Sequence, residues 1–583
     1  MDIGIEILLG IGCSLIAGLI LIYIKKKLLL RKKNYIHNTV SENGVNVTSY
    51  IKRISGYIDI KSSLSNKRKT EIIEQLIEVF PSFVQLRKKF LSEVKKNTIS
   101  YLKNSKEEYL QNCAWWSISS TQSKTGNRFV IGFRNSGCEY WQSEPFYIGC
   151  FNCGYCSSVI HDYLPNTHDL ELQFDKALGA AINEKIDFDV IEFLNDGSFL
   201  NDKEFPEEFR KYLFSKINSL DYISRVLIET RPNYITDKRI KQLLKELSND
   251  KQLEIGIGLE TSDDFIRTTC INKGYDKNEL KKAIEIISPY KDRVKIVIYT
   301  LVKPAFLSET EAINDVIVTA EYLCELQLKY NIDLILKIEP AVVSQGTLLE
   351  LLYFNRFENI PKYKIISYWS IIEIIATLYK SEIKLPLRIG AREDMDTVLK
   401  VPAIYDPEGM FNQYDFIVYE SIQLYNTHGS ILKLFADIED AMHNKSFYEW
   451  KNTVADTTAT ELVYSELIDD IQDLKSHKEQ KHRKDFLRNL FTALDRIEYG
   501  EEGKTFARSI AKRKNWNNVK VRNKQIQKFI ENQFRKILSN IYIRIIESNL
   551  EIDKPNLLRI FVQIRDLKSR AVHDIWLGIP TKK

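Results

Sequence analysis

Four of the eight cysteines in this 583-residue chain lie close together, and their spacing is the clearest chemical signal in the sequence. The four are Cys138, Cys150, Cys153 and Cys156. Cysteines with two residues between them allow their thiolates to bind one metal ion or one cluster. Two metal sites fit: a structural zinc ion held by all four thiolates, or an iron–sulfur cluster held by three, which leaves one iron open. Eight cysteines are too few for a disulfide scaffold in a chain of this length.

The cysteines follow the first of six short β-rich runs, which alternate with helical patterns. The runs cover residues 128–133, 188–194, 224–229, 253–259, 293–299 and 333–339. Amphipathic helical spacing is clear between them at 237–247 and 277–287. Strands that alternate with helices predict βαβ units around a parallel sheet, and six units favour an open or partial barrel. Barrel folds place their chemistry at the carboxyl ends of the strands, and Cys138 lies just after the first run.

An ordered set of motifs resembles the radical S-adenosylmethionine superfamily, in the branch that includes the Elongator catalytic subunit and the archaeosine synthase radical subunit. The motifs are Cys138-x11-Cys150-x2-Cys153, NDGSFL at 195–200, ETRPNYIT at 229–236, GIGLET at 256–261, INKG at 271–274, KPAFLSETEA at 303–312 and WSIIE at 369–373. The resemblance implies an α/β fold with a partial (β/α)6 barrel over about 128–350. It also implies an enzyme with a 4Fe-4S cluster and S-adenosyl-L-methionine, which is cleaved to a 5′-deoxyadenosyl radical that abstracts hydrogen from a substrate.

The resemblance also implies which cysteines hold the cluster. The phrase GCFNCGY at 149–155 is similar to the signature of relatives and selects Cys138, Cys150 and Cys153. The alternative trio keeps Cys138 and Cys153 but takes Cys156, which would place an aromatic residue, Tyr155, just before the last ligand. Cys270 lies in a helical pattern and is expected to be a core residue, as is Cys324.

The residues implied to bind S-adenosylmethionine follow successive strands. They are Asn195, Asp196, Gly197, Ser198, Glu229, Arg231 and Glu260. The turn 195–198 would hold the methionine amino group, and its glycine suits a close backbone approach. Glu229 and Arg231 would contact the ribose or the carboxylate, and Glu260 would face the cofactor or the substrate. The alternative for 195–198 is a plain βα turn, and the alternative for Glu229 and Arg231 is a structural ion pair at the mouth of the barrel. For Glu260 the alternative is a structural role. Lys303 is a candidate on the substrate side.

The N-terminus predicts a membrane anchor. Residues 7–24 carry no charge, and a helix of this length spans about 27 Å, close to the thickness of the bilayer core. Acidic residues precede the run and six Lys or Arg residues follow it, so the positive-inside rule places the body of the protein in the cytoplasm. We therefore predict a single-pass membrane protein with a cytoplasmic catalytic body. An electron donor such as ferredoxin or flavodoxin is implied as a partner.

The domain prediction combines these features with the texture of the rest of the chain. The predicted units are a membrane anchor and basic flank (1–33), a mainly helical N-terminal region (34–125), the barrel (126–350), an accessory extension (351–430) and a basic helical C-terminal domain (431–583). Within the second unit, 34–60 resembles an irregular or β-containing linker, and 65–111 predicts two or three helices. Segment 476–538 holds 17 Lys/Arg against 7 Asp/Glu, a local net charge of +10.

The substrate is open at this point. A composition of 44% apolar and 28% charged residues fits a globular protein, and a net charge of +5 is too small to imply a nucleic-acid partner for the whole chain. Relatives in this branch often act on tRNA, and segment 476–538 could be an electrostatic footprint for RNA. The predicted anchor instead favours a lipid, peptide or specialised metabolite at the membrane. The remaining hypothesis is a non-catalytic, membrane-tethered zinc protein.

Overall fold

The computed structural model of the protein describes residues 47–119, 127–134, 137–143, 148–154, 165–183, 188–194, 197–390, 398–402 and 413–475. Several predictions lie outside these residues. They concern the membrane anchor at 7–24, Asn195, Asp196, Cys156 and the basic segment 476–538. Within the described ranges, no helix is both long enough and apolar enough to cross a membrane.

Six parallel strands, in the order of the sequence, form most of an eight-stranded sheet in the described part of the chain. They are β2 (Arg128–Gly132), β3 (Val190–Phe193), β4 (Arg225–Glu229), β5 (Gln252–Glu260), β6 (Val294–Val302) and β7 (Leu334–Pro340). At one edge β1 (Trp115–Ser119) pairs antiparallel with β2, and at the other β9 (Leu387–Ile389) pairs parallel with β7. The short strands β8 (Val343–Ser344) and β10 (Val398–Lys400) form a separate two-stranded sheet. The sheet is a curled half-barrel, so the predicted α/β fold with a partial barrel is confirmed.

One face of the sheet is apolar. Phe129, Ile191, Val226, Leu253 and Val294 are paired in register across five neighbouring strands, and all five side chains are fully buried. Successive side chains of a strand point to opposite faces, so this row and its neighbours along each strand present a continuous apolar surface to the helices. The β-rich runs read from the sequence therefore correspond to strands whose outer face is buried.

The opposite face carries buried ion pairs. Glu192 of β3 pairs with Arg128 of β2. Glu254 of β5 accepts hydrogen bonds from Arg225 of β4 at 3.0 Å and from Arg388 of β9 at 2.7 and 2.8 Å. A carboxylate removed from water needs such partners, because desolvation alone disfavours its charge. The interior of the half-barrel therefore combines buried ion pairs with a small apolar cluster of Leu227, Val297 and Ile335.

Helices connect the strands and pack against the sheet. They are α1 (Val47–Ser55), α2 (Asn66–Gln111), α3 (Glu139–Ser143), α4 (Thr167–Asn183), α5 (Glu207–Asn218), α6 (Asp237–Glu246), α7 (Lys277–Ile287), α8 (Glu309–Tyr330), α9 (Leu348–Phe354), α10 (Tyr368–Lys380), α11 (Gln413–His428), α12 (Ile431–Met442), α13 (Lys445–Val454) and α14 (Ala459–Lys475). Helices α6 and α7 match the helical patterns at 237–247 and 277–287. Helix α8 begins with a capping box between Ser308 and Glu311, which the spacing S-x-x-E encodes.

The N-terminal region differs from its prediction in two ways. The predicted two or three helices within 65–111 are one 46-residue helix, α2, with Pro81 inside it. Leu76 and Phe83, on either side of Pro81, are fully buried in the core, and this packing offsets the cost of about 3 kcal/mol for a proline in a helix. The predicted irregular linker is also wrong where the structure describes it, because 47–59 forms α1 and a 3₁₀ turn with Tyr50 and Ile54 buried.

One continuous hydrophobic core joins these parts. It runs from Tyr50 in α1 through the sheet to Ile471 in α14. In the C-terminal part Trp369 and Trp450 are fully buried, and the indole of Trp450 donates a hydrogen bond of 2.8 Å to Ser370 Oγ. The chain from 431 to 475 is helical, as the sequence indicates. The domain boundaries themselves stay a prediction.

Candidate active site

A cavity of about 370 Å³ lies at the carboxyl ends of the parallel strands and gathers most of the predicted site residues. Those that line it are Cys138, Cys150, Cys153, Gly197, Glu229, Arg231 and Glu260. They come from loops after β2, β3, β4 and β5, which are far apart in the sequence. The parallel strands bring these loops to one edge of the sheet, as expected for this class of fold.

The loop that carries Cys150 and Cys153 is fixed by main-chain hydrogen bonds to distant segments. Phe151 N donates to Ile271 O at 2.8 Å, and Leu348 N donates to Phe151 O at 2.9 Å. Asn272 donates a hydrogen bond of 2.7 Å from its Nδ2 to Gly149 O. The backbone of Asn272 lies in the left-handed region, with a φ of 55°. Within the loop, Cys153 N donates to Cys150 O at 3.2 Å, which closes a tight turn between the two cysteines.

These cysteines fit an iron–sulfur cluster. Within the described ranges, no three His, Cys, Asp or Glu side chains are arranged to hold a single metal ion. A 4Fe-4S cluster makes a different demand, because each thiolate binds its own iron. Cys138, Cys150 and Cys153 line one cavity with two cations, Arg231 and Lys273, which suit an anionic cluster. Burial raises the pKa of Cys150 to about 12, whereas a coordinating metal holds a thiol deprotonated.

The turn after β3 packs closely against the loop of Cys138. A Cβ atom on Gly197 would lie 1.8 Å from Glu204 Oε2 and 3.2 Å from Gly137 O, so a larger residue here would displace the Glu204 carboxylate. Glu204 accepts hydrogen bonds from Glu139 N at 2.9 Å and from Ser198 N, and so joins the two loops. Burial raises the pKa of Glu204 to about 6. Sequence reasoning missed Glu204, since its only local signal is its position shortly after the NDGSFL motif.

Glu229 and Arg231 occupy different parts of the cavity. The Arg231 guanidinium lies toward the cluster side, 4.2 Å from the centre of the Tyr140 ring, and its Nη2 donates to Lys273 O at 2.8 Å. The Arg231 backbone N–H donates to Ser198 Oγ at 3.1 Å, which links this loop to the turn after β3. Glu229 ends β4 and faces the strands β6 and β7, where burial raises its pKa to about 8 although Lys337 opposes the shift.

Glu260, a predicted site residue, forms an ion pair that the sequence did not predict. Its Oε1 lies 2.6 Å from Nζ of Lys273, which belongs to the INKG motif but was not predicted as a site residue. Glu260 has a φ of 69°, a strained conformation for a residue with a Cβ atom. A Cβ on Gly258 would lie 2.5 Å from Glu260 Oε1, so the GIG sequence leaves room for this pair.

The far wall of the cavity was not predicted. It consists of Tyr299 from β6 and Lys337 and Glu339 from β7. Lys337 Nζ lies 2.9 Å from Glu339 Oε1 and 4.6 Å from the centre of the Tyr299 ring. A local signal existed, because these polar residues interrupt otherwise apolar strands at alternate positions, which indicates side chains on the polar inner face.

Lys303 and the two remaining candidate core cysteines lie outside this cavity. Lys303 has a φ of 64°, pairs with Glu309, and lines a second cavity of about 320 Å³. Tyr363 Oη donates to Lys303 O at 2.8 Å across that second cavity. Cys270 is fully buried in the core, and Cys324 is half-buried in α8.

Comparison with known proteins places the chain in a family. Over 270 residues it is 32% identical to archaeosine synthase subunit beta of Methanosarcina acetivorans, a match that covers 46% of this chain and 71% of that protein. It is 27% identical over 264 residues to the protein of the same name from Thermococcus kodakarensis. An uncharacterized protein of Methanocaldococcus jannaschii is 34% identical over 263 residues, and the chain spans 66% of its length. No family model matches the chain.

The chain is therefore a radical S-adenosylmethionine enzyme, whose cofactors are a 4Fe-4S cluster and S-adenosylmethionine. Within that superfamily it belongs to the branch of archaeosine synthase subunit beta, which confirms the resemblance found in the motifs.

Solved structures of the same superfamily overlap with the chain only loosely. The radical S-adenosylmethionine methyltransferase TsrM of Kitasatospora setae, with tryptophan substrate and a cofactor analogue bound, matches with a TM-score of 0.26 at 10% identity, over 39% of each chain. SuiB of Streptococcus suis matches with a TM-score of 0.30 at 12% identity, over 62% of this chain and 73% of its own. Overlap at this level says nothing about the substrate of this chain.

Proposed function

We propose that the chain binds its 4Fe-4S cluster through Cys138, Cys150 and Cys153, and uses it to modify a tRNA base or related nucleoside. One observation carries the assignment of the site: the three cysteines line the same cavity as the residues expected to bind S-adenosylmethionine. When bound, the cluster supplies the electron that cleaves S-adenosylmethionine to methionine and a 5′-deoxyadenosyl radical. The protein's own side chains bind and orient the cofactor and the substrate.

The residues nearest the cysteines serve the nucleotide cofactor. Gly197 permits a close backbone approach, and Ser198 holds the Arg231 backbone by its hydroxyl group. The Arg231 guanidinium, half enclosed by Tyr140, is placed to bind a carboxylate such as that of the methionine moiety. Glu260 is held by Lys273 and is placed to accept hydrogen bonds from ribose hydroxyls.

The far wall serves the substrate. Tyr299, Lys337 and Glu339 offer both hydrogen-bond donors and acceptors, and Glu229 adds a carboxyl group that is mostly protonated at neutral pH because burial raises its pKa to about 8. Alternating donors and acceptors suit the edge of a nucleobase. Aromatic side chains on the same cavity, such as Trp115, suit stacking on a base plane.

The choice of tRNA is supported by the names of two relatives and by the polar wall of the cavity. A lipid, peptide or specialised metabolite at the membrane is the second candidate, which the uncharged run at 7–24 favours. An electron donor such as ferredoxin or flavodoxin remains a predicted partner, as do RNA and the membrane. The zinc hypothesis predicts a colourless protein without iron.

The test is anaerobic purification followed by reduction. The wild-type chain should be brown, contain about four irons per chain and release 5′-deoxyadenosine. Cys150→Ala should lose the colour and the release, whereas Cys270→Ala, which removes a buried cysteine outside the cavity, should keep both. The purified wild-type protein should also bind tRNA, with an affinity that falls as salt rises. A normal cluster in Cys150→Ala would transfer the assignment to the trio with Cys156, and an absence of tRNA binding at low salt would favour the membrane substrate.

A further inference from the structure

A fully buried arginine from outside the barrel supports the cysteine loop. Arg87 belongs to α2, and its side chain has no exposed surface. Its Nη1 donates to Cys153 O at 3.0 Å, and its Nη2 donates to Ile148 O at 3.0 Å and to Cys150 O at 3.2 Å. One guanidinium therefore binds three carbonyl groups of a single short loop, and two of them belong to cysteines.

The shape of the guanidinium matters for this contact. Its donors form a rigid, planar fork, so it fixes the relative directions of the three carbonyls in a way that a single ammonium group does not. Aromatic rings confine it, since its carbon lies 5.3 Å from the centre of the Phe83 ring and 5.9 Å from that of Trp141. Trp141 also packs directly against Gly149 of the same loop. Arg87 and Trp141 therefore support the turn from Cys150 to Cys153.

The charge of Arg87 matters as well. A cation buried in protein is costly, and it is stabilised best by negative charge placed close to it. Three thiolates and the cluster they bind would put such charge beside the loop whose carbonyls Arg87 binds. A nearby positive charge favours the more negative, reduced form of a cluster, and charge and hydrogen bonding around the sulfurs are known means of setting its potential.

We propose that Arg87 is a positioning residue for the iron–sulfur cluster. It holds the Cys150–Cys153 turn in the conformation that binds iron, and its buried charge raises the reduction potential of the cluster. The inference rests on the proposed function, because it takes Cys138, Cys150 and Cys153 as the ligands. It also makes the N-terminal helical region a working part of the active site, although the motifs of the family begin only after it.

The test compares Arg87→Gln and Arg87→Lys with a matched control. The control is Arg293, whose guanidinium also binds three carbonyl groups, at the end of α6 and outside the cavity. It donates to Leu244 O at 3.0 Å, to Leu247 O at 2.9 Å and to Ser248 O at 2.9 Å. Each variant is reconstituted with iron and sulfide without oxygen. The readouts are the rate of iron loss to a chelator, the midpoint potential from an electron paramagnetic resonance titration, and thermal unfolding.

Arg87→Gln should lose iron about 10- to 100-fold faster than wild type, and its midpoint potential should become more negative. Arg87→Lys should keep a potential near that of wild type but lose iron at an intermediate rate, because it keeps the charge and lacks the fork. Arg293→Gln should unfold more easily while its iron loss and potential match wild type.

Two results would overturn the inference. One is an Arg87→Gln protein with wild-type iron retention and potential, and the other is equally fast iron loss in Arg293→Gln. If Arg87→Gln does not fold, Arg87→Lys decides, and wild-type iron loss in that variant counts against the inference. Failure of the proposed function looks different, because then the wild-type chain binds no cluster, or Cys150→Ala and Cys153→Ala both retain it.

Discussion

At the residue scale, the surroundings of each carboxyl group decide what it can do in the cavity. Glu260 and Glu229 end neighbouring strands and line the same space. Lys273 lies 2.6 Å from Glu260 and provides a cation for it. Glu229 instead lies toward Tyr299 and Lys337, and burial raises its pKa to about 8. At neutral pH the raised pKa leaves Glu229 mostly protonated and able to donate a hydrogen bond.

This difference predicts how Glu229→Gln changes stability with pH. The carboxyl has a pKa of about 4.5 when unfolded and about 8 when folded, so the folded state binds the proton more tightly. Its contribution to stability is therefore complete below the unfolded value and is lost as pH rises through the folded value. Glu229→Gln has no such proton, so its free energy of unfolding relative to wild type should rise by about 2 kcal/mol between about pH 6 and pH 8.

Urea unfolding of both proteins at the two pH values measures this difference. Glu208→Gln, which removes an exposed carboxyl on α5, is the control and should differ from wild type equally at both pH values. A pH-independent difference for Glu229→Gln would show that Glu229 has an ordinary pKa in the fold.

At the scale of secondary-structure elements, buried ion pairs join strands on the inner face, beside a small apolar cluster of Leu227, Val297 and Ile335. Glu254 of β5 binds Arg225 of β4 and Arg388 of β9, so one carboxylate connects two consecutive strands to a third that lies far along the sequence. Burial alone would raise the pKa of Glu254, but Arg388 and Arg225 outweigh burial and lower it. The stabilisation is therefore present at neutral pH and is lost as pH falls through the lowered value.

Glu254→Gln should consequently be one of the more damaging substitutions in the barrel. It leaves two buried guanidinium groups without their anion, which costs about 3–5 kcal/mol for a buried pair. Urea unfolding at neutral pH measures the loss, and the gap to wild type should narrow in acid. Asp237→Asn, which breaks an exposed pair with Lys241, is the matched control and should change stability little. Equal effects of the two substitutions would contradict a structural role for the Glu254 network.

At the scale of the whole molecule, the N-terminal helices and the barrel behave as one body. Arg68 of α2 binds Glu311 of α8 at 2.7 Å, and Ser62 and Ser63 donate to Asp263 at 2.6–2.9 Å. The shared core and the Arg87 contact add to these links. The predicted anchor at 1–33 lies outside the residues that the structure describes, which begin at Val47.

The anchor predicted from the sequence can be tested with a chain that lacks residues 1–33. The full chain should sediment with membranes and resist extraction by high salt, because an uncharged run of 18 residues is long enough to span a bilayer. The shortened chain should remain in the supernatant and still take up iron, because α1 begins only at Val47. Sedimentation followed by iron analysis tests both points. A full chain found in the supernatant would remove the anchor, and with it the support for a membrane substrate.

Local order in the sequence determined a large part of this protein. Alternating β-rich runs and helical patterns located six of the seven parallel strands in the described residues, all but the short edge strand β9. Motif spacing located a set of residues that line one cavity: Cys138, Cys150, Cys153, Gly197, Glu229, Arg231 and Glu260. These patterns involve residues that are close together in the sequence, so they can be recognised without knowledge of the fold.

Only the tertiary structure decided which other side chains meet them. Arg87 lies 61 to 66 residues before the loop residues whose carbonyls it binds. Tyr299 and Lys337 reach the cavity because parallel pairing places β6 beside β5 and β7 beside β6. Packing against a shared core likewise kept α2 continuous through Pro81, against its local preference. The spacing of residues along the sequence does not predict these long-range contacts. They depend on how the sheet curls and on which surfaces are buried together.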